Sequence, residues 1–315
     1  MESFGFSNIP DEPDILSGYF NGLFPDISTE NSIINCYTET HLPSEPVLQD
    51  TITHTFYIPR KPTNTWTLLS QLSINCGFKF EKKVVDIQTN KITWEGVKPK
   101  DNAVPVSNLI QSCWSDVDIR LNQQRVTNNR HNSQVTSILS KLTNSHYYSA
   151  TLGRLSGVAD DSTDPDITSN ENTGVKLRQN MFCIPDDDTE NKANLIHLTG
   201  PLYSSISSNP WPIPSEIDIY ISMTRNKDEV LVSYTGDQDT IFRITLEYLE
   251  VLVPRIIIDP SIHNKIELHL NKKSIKMVYN RLEIRSFVIG PGRLSFDSGS
   301  LFQGYDIVSK LIYYN

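Results

Sequence analysis

The stretch VPVSNLIQSCWSDVDIRLNQQRVTNNRHNSQVTSILSKL, residues Val104 to Leu142, decides how the rest of the chain is read. Its middle alternates. Val117, Ile119 and Leu121 face one way, and Asp116, Asp118, Arg120 and Asn122 face the other. A period of two with one apolar side is a half-buried strand. Asn122-Gln123-Gln124 turns the chain, and Arg125-Val126-Thr127 starts back. Then the period changes. Val135, Ile138, Leu139 and Leu142 fall at i, i+3, i+4 and i+7, one face of a short helix, and Asn132 or Ser133 is placed to cap its start.

Outward from this unit the signal is mostly strand. Residues 51–59, TITHTFYIP, alternate Ile52, His54, Phe56 and Ile58 against Thr51, Thr53, Thr55 and Tyr57. WTLLSQLSINCGFKF (66–80) predicts one longer strand, with Leu68, Leu72, Ile74 and Cys76 inward, and VVDIQTNKITW a small hairpin turning at Thr89-Asn90. Residues 153–194 predict a long loop region. LIHLTGPLYSSI (195–206), PSEIDIYISMTR (214–225), EVLVSY and TIFRITLEYLEVLVPRI predict further strands, with Ile217, Ile219 and Ile221 inward. DPSIHNKIELHLN (259–271) predicts a short helix with Asp259 as cap and Pro260 in the first turn. Sparse helical periodicity and 18 prolines favour an all-β sandwich or barrel. At 315 residues the chain holds one large or two medium domains.

The central unit also carries a resemblance. SNLIQSCWSDVDIRLNQQRVT resembles the first-barrel hairpin of the capsid proteins encoded by Polinton (Maverick) elements and adintoviruses. These belong to the double jelly-roll major capsid lineage that includes adenovirus hexons, and a helix follows the hairpin in that family too. NTGVKLRQNMF (172–182), LIHLTGPLYSSI and the Pro-initiated segment at 259–271 are similar to family segments in the same order. RLEIRSFVIGPGRLSFDSGSLFQG (281–304) is similar to the opening of the second jelly roll. Within the chain, Thr55-Phe56-Tyr57-Ile58-Pro59 resembles Ser286-Phe287-Val288-Ile289-Gly290, a weak internal repeat that fits a duplicated barrel.

The expected fold is therefore a jelly-roll β-sandwich with a short helix insertion and the first strands of a second jelly roll. The expected domains are an acidic extended arm (1–50), a first jelly roll (51–280) and the opening strands of an incomplete second one (281–315). The family continues well beyond Asn315, so a fragment, a domesticated copy or a single-barrel derivative is expected. The resemblance implies a non-enzymatic structural protein forming icosahedral shells from trimeric capsomers. Its partners would be neighbouring capsomers and a penton protein. Its place would be the virion, assembled in the host nucleus or cytoplasm and not secreted. A carbohydrate-binding or carbohydrate-hydrolysing jelly-roll protein is the alternative.

Charge is unevenly distributed. Residues 1–50 hold nine acids and no Lys or Arg, which leaves 28 acids against 28 bases in the remainder. An acidic arm on a neutral body argues against a DNA-packaging surface, which needs basic clusters. Phe4, Phe6, Tyr19, Phe20 and Phe24 are many aromatics for a floppy tail; either the arm stays unfolded, or it orders by placing them in pockets on a neighbour. No basic region followed by an apolar run opens the chain, and no window is long and apolar enough for a membrane span. With no Asn-x-Ser/Thr sequon either, the chain suits a reducing compartment.

Motifs for chemistry are absent: no phosphate loop, no H-E-x-x-H, no G-x-S-x-G. Cys36, Cys76, Cys113 and Cys183 lack CxxC spacing and read as free thiols rather than zinc ligands. His263 and His269 are the only close histidine pair, and their spacing puts them on different faces of a helix. Acids crowd at Asp160, Asp161, Asp164, Asp166 and Glu171, and again at Asp186, Asp187, Asp188 and Glu190. Neither cluster has the Gly and Glu positions of a calcium loop, so solvated loops are expected. Trp66, Trp94 and Trp211 could serve as sugar platforms or as core and interface residues. No catalytic, cofactor-binding or metal-binding residue is assigned, and no cofactor is expected.

Overall fold

The computed structural model describes residues 32–270 apart from short gaps at 49–50, 63, 87–88, 130, 144, 163–165, 170, 209–210, 215 and 236–239. The expected second-barrel strands at 281–315, and the arm up to residue 31, lie outside the described residues.

Thirteen strands are described: β1 (Ile33–His41), β2 (Thr53–Ile58), β3 (Thr65–Thr67), β4 (Ser73–Val85), β5 (Ile92–Gly96), β6 (Ala103–Pro105), β7 (Trp114–Leu121), β8 (Gln124–Asn129), β9 (Ile196–Pro201), β10 (Ile213–Pro214), β11 (Ile219–Arg225), β12 (Val232–Tyr234) and β13 (Phe242–Ile258). The helices are α1 (Leu109–Ser112), α2 (Asn132–Thr143), α3 (His146–Ala150), α4 (Leu152–Leu155), α5 (Thr173–Phe182), α6 (Asp228–Leu231) and α7 (Pro260–Leu270). Two antiparallel sheets form a jelly-roll sandwich. One runs β2-β11-β7-β8; the other is built on β4 and β13, with β1 on the far edge of β13, β9 and β5 along the free edge of β4, and β3 and β10 at one end. β6 and β12 make a separate two-stranded ribbon.

The core lies between the sheets because each strand turns alternate side chains inward. Ile74, Cys76, Phe78 and Phe80 of β4 and Ile244, Leu246, Leu249, Val251 and Val253 of β13 meet Phe56, Ile58, Val117, Ile119, Ile219, Ile221 and Met223 from the four-stranded sheet. On β13 the buried set changes from even to odd positions where the register slips between Leu246 and Tyr248. One extra residue flips the faces, as a bulge does. There the Tyr248 ring lies over Gly77 and leaves no room for a Cβ.

Of the inward sets expected, His54, Phe56, Ile58, Val117, Ile119, Ile219 and Ile221 are buried and Leu121 is partly buried against the core, whereas Ile217 lies before β11 and is only half-buried. Ile52, just before β2, is exposed. Other expectations change. WTLLSQLSINCGFKF is not one strand but β3, a 3₁₀ turn at Leu69–Gln71, and β4. EVLVSY is half helical turn, and only Val232–Tyr234 pairs as strand. Neither Asn132 nor Ser133 caps α2: both already lie in its first turn, the Asn132 side-chain amide has no partner among the described residues and Ser133 Oγ accepts from Asn226 Nδ2, while Leu142 is exposed rather than on the packed face. The region 153–194 is not all loop. It holds α5, whose first turn is capped by Asn172 Oδ1 accepting from Val175 N–H. Arg178 of α5 is buried and donates to the Ala159 carbonyl and to Asp161, tying helix to loop. Asp259 and Pro260 start α7 as expected, and its Ile262 and Ile266 pack on Trp66, Ile256 and Ile258.

Residues 33–41, which the sequence places in the extended arm, form β1, antiparallel to Val251–Ile258 of β13. Most of its side chains are exposed, so periodicity does not reveal it. What holds it, besides backbone pairing, is an ionic cluster. Glu39 receives Lys61 Nζ at 2.6 Å, Arg255 Nε at 3.2 Å and His41 Nε2 at 3.3 Å.

Candidate functional site

The outer face of the four-stranded sheet holds the most organised surface. Register builds it. Tyr57 of β2 lies opposite Tyr220 of β11, Tyr220 opposite Arg120 of β7, and Arg120 opposite Arg125 of β8. The next outward row is Thr55, Ser222 and Asp118. Directly opposed residues on one face touch, so these rows are contact rows. Two arginines side by side would repel; Asp118 resolves this, accepting from Arg120 Nε at 3.0 Å and Arg125 Nε at 2.7 Å. The Tyr57 and Tyr220 rings sit 5.0 Å apart, tilted by 32°.

Two further carboxylates frame the rows. Asp218 accepts from Tyr57 Oη at 3.1 Å and from Arg60 Nη2 at 2.8 Å. The Arg60 hydrogen bond holds its carboxyl below the usual carboxylate range, and the same carboxylate raises the Tyr57 phenol. Glu45 accepts from Thr55 Oγ1 at 2.8 Å, which lowers its carboxyl and fastens the segment after β1 to β2. Ser44, Gln123 and the two rows enclose an open groove of about 470 Å³. The arrangement offers aromatic faces, guanidinium donors and hydroxyls in fixed rows. It suits recognition of another surface rather than bond chemistry.

The residues singled out from sequence lie elsewhere. Trp66 is buried against Ile256 and Ile258, Arg243 covers the Trp94 ring at 3.6 Å, and Trp211 is half-buried, so none of them lines this groove. His263 is buried and His269 half-buried on α7. The acidic loops use their carboxylates locally: Asp160 on Ser107, Asp161 on Arg178, Asp166 on Thr168, and Asp188 on the amides of Glu190 and Asn191. Asp164 is outside the described residues. Among the described residues no three His, Cys, Asp or Glu side chains gather as a metal site, and no helix is long and apolar enough to cross a membrane. Burial pushes the Cys113 thiol up to about 11 and the Cys183 thiol up to about 12; Cys36 is exposed. Tyr57 and Tyr220 were not singled out. Each strand's alternation turns its tyrosine outward, but only the pairing of β2 with β11 makes them one feature.

No family model and no curated protein matches the chain. Solved structures do. A chain of the Sputnik virophage overlaps with a TM-score of 0.50 and 11% identity, over 74% of this chain and 49% of that one. The mavirus major capsid protein overlaps with a TM-score of 0.49 and 13% identity, over 71% and 47%. The Faustovirus major capsid protein overlaps with a TM-score of 0.45 and 8% identity, over 82% and 60%. The chain thus spans about half the length of the two virophage chains it matches. At such identity the Sputnik likeness speaks to the fold, and it agrees with the jelly-roll sandwich of the two sheets.

Proposed function

We propose that the chain is a structural capsid subunit of the double jelly-roll lineage. The observation that carries this is the fold shared with a chain of the Sputnik virophage. The hairpin β7–β8 running into α2, in the segment that resembles Polinton and adintovirus capsid proteins, supports it from the sequence. In this reading the sandwich that begins at β1 forms one upright barrel, and residues 281–315 open a second. Three copies make a capsomer, and capsomers pack side by side with a penton protein at the vertices. The subunit works in the virion, after assembly in the host nucleus or cytoplasm, and catalyses nothing. A sandwich with polar outer faces and ordered charge rows suits lateral packing, because charge arrangement sets which surfaces meet and in what register.

The test is mass photometry over a wide dilution series, with negative-stain electron microscopy of concentrated samples. Particles of three times the 35.8 kDa subunit, and shells or flat arrays built from them, are expected. A chain that stays monomeric at every concentration and forms no arrays overturns the reading.

A further inference from the structure

β5 is the end strand of its sheet, and along residues 91–95 its outer edge is open. Val97 N–H donates to the Phe80 carbonyl and Asp86 N–H to the Lys91 carbonyl, so the odd-numbered residues of β5 bond inward to β4. Antiparallel pairs alternate, so Ile92 and Trp94 aim their N–H and C=O groups the other way, toward the open edge. Gly96 is aimed the same way, and there its N–H meets the Asn191 carbonyl. Among the described residues no strand pairs with the outward groups of Ile92 and Trp94. The side chains are uncovered as well. Ile92 and Val85, its neighbour on β4, are exposed, as is Ile241. Lys91 is exposed and Glu95 half-buried, and neither has an ion-pair partner among the described residues; Lys82, across from Glu95 on β4, is taken by Asp101. An open edge with exposed apolar residues invites another strand.

The sequence of this edge fits its own reverse. Laid antiparallel to a second copy about a two-fold axis through Thr93, Lys91 lies opposite Glu95 of the second copy, and Glu95 opposite its Lys91. In the same register Ile92 faces Trp94, Trp94 faces Ile92, and Thr93 faces Thr93. Ile92 and Trp94 then form hydrogen-bonded pairs across the seam, so every outward backbone group they carry finds a partner. Both unpaired charges of each copy gain a counterion, and the apolar pair lies on the same face as Val85. A shift of two residues either way loses both ion pairs. The register also ends where the chain turns away. Opposite Gly96 stands Asn90 of the second copy, where φ is +50° and the hairpin turns back to its own β4, so the Asn191 contact is left in place. We propose that β5 is the seam of a two-fold pair, joined edge to edge with a second copy of the chain in this register. A five-residue strand makes a small interface, so the pair is weak alone and gains where many copies stand side by side. A ring of three has no two-fold axis between its members, so the seam is separate from the trimer proposed above and stands whether or not that trimer forms.

The experiment uses the full chain carrying Thr93→Cys, with Cys36→Ser to remove the exposed thiol; the other three cysteines are buried. Across the axis the introduced thiols sit in a non-hydrogen-bonded pair, with Cα atoms roughly 4.5 Å apart, inside the disulfide range of roughly 4.4–6.8 Å. Mild oxidation with copper–phenanthroline, followed by non-reducing electrophoresis, should show a disulfide-linked dimer. Thr89 is exposed on the same hairpin but off the axis, so Thr89→Cys in the same background should link several-fold less. Adding Glu95→Lys to the Thr93→Cys chain sets lysine against lysine and should cut the dimer yield several-fold. Lys91→Glu in that same chain should restore it, with circular dichroism confirming that each variant folds. No dimer, equal yields from positions 89 and 93, or a yield that charge reversal leaves unchanged or the swap fails to restore would each overturn the proposal.

Discussion

Replacing Glu39 by Ala removes the anion that joins β1 to the body of the sandwich. The Arg255 side chain is fully buried and has its Nε on Glu39, its Nη1 on Thr67 Oγ1 and its Nη2 on the Pro59 carbonyl. The neutral acceptors survive the substitution, but the countercharge does not. Breaking a buried ion pair from one side costs about 3–5 kcal/mol. Glu39 itself is 17% exposed and Lys61 30%, so water offsets part of this and the lower end, about 3 kcal/mol, is expected. Glu39→Gln keeps an acceptor and should lose less. In the Glu39→Ala background, Arg255→Met should recover part of the loss, because no buried cation is left uncompensated. Urea denaturation measures the global change, and hydrogen exchange reads β1 directly. Since Ile33 and Ile34 are exposed, β1 buries little apolar surface, and its amides should lose protection before those of β4. The pH dependence has a definite sign. Burial works against the Glu39 carboxylate, but the Lys61 hydrogen bond and the charges of Arg255 and Lys61 prevail and hold it low. A folded-state value below the unfolded one contributes stability that is full above the unfolded value and lost as pH falls through the folded one. A loss under about 1 kcal/mol for Glu39→Ala, the range of a surface pair, would refute the reasoning.

Three other outcomes are expected. Ile119→Asp puts a charge at a fully buried core position and should cost several kcal/mol by denaturant titration, whereas Asp118→Ile should leave a folded sandwich with two unpaired exposed arginines; the reverse ranking would mean that β7 faces the other way. His54 is fully buried beside Trp114 with neither ring nitrogen bonded among the described residues, and burial first, then Arg225, lowers its pKa, with Glu45 opposing. Its contribution is full above the unfolded histidine value and is lost as pH falls through the folded one, so His54→Phe should flatten the drop in urea midpoint on acidification. In a native thiol titration only Cys36 should react quickly; fast reaction of Cys113 or Cys183 would contradict their burial.

What was legible in the sequence, and what was not, separates along a physical line. β2, β7 and β11 were legible because each buries one face against the core, so apolar and polar residues alternate in the chain itself. α5 was missed because its buried face includes Arg178 as well as Val175 and Phe182. A charge at a core position breaks the apolar period, and what satisfies it, the Ala159 carbonyl and Asp161, sits in a loop that local reading cannot connect to the helix. β1 was missed for a related reason: its attachment is backbone pairing to β13 and a cluster whose other members, Lys61 and Arg255, lie far along the chain. The groove follows the same rule. Tyr57, Asp118, Arg120 and Tyr220 are unremarkable outward residues of three separate strands. They become a surface only through the pairing of β11 with β2 on one edge and β7 on the other. Apolar burial writes a local period into the chain, whereas a polar surface is written in register. A one-residue slip of β11 would leave its composition untouched and turn Tyr220 and Ser222 into the core, abolishing the groove while keeping every residue that makes it.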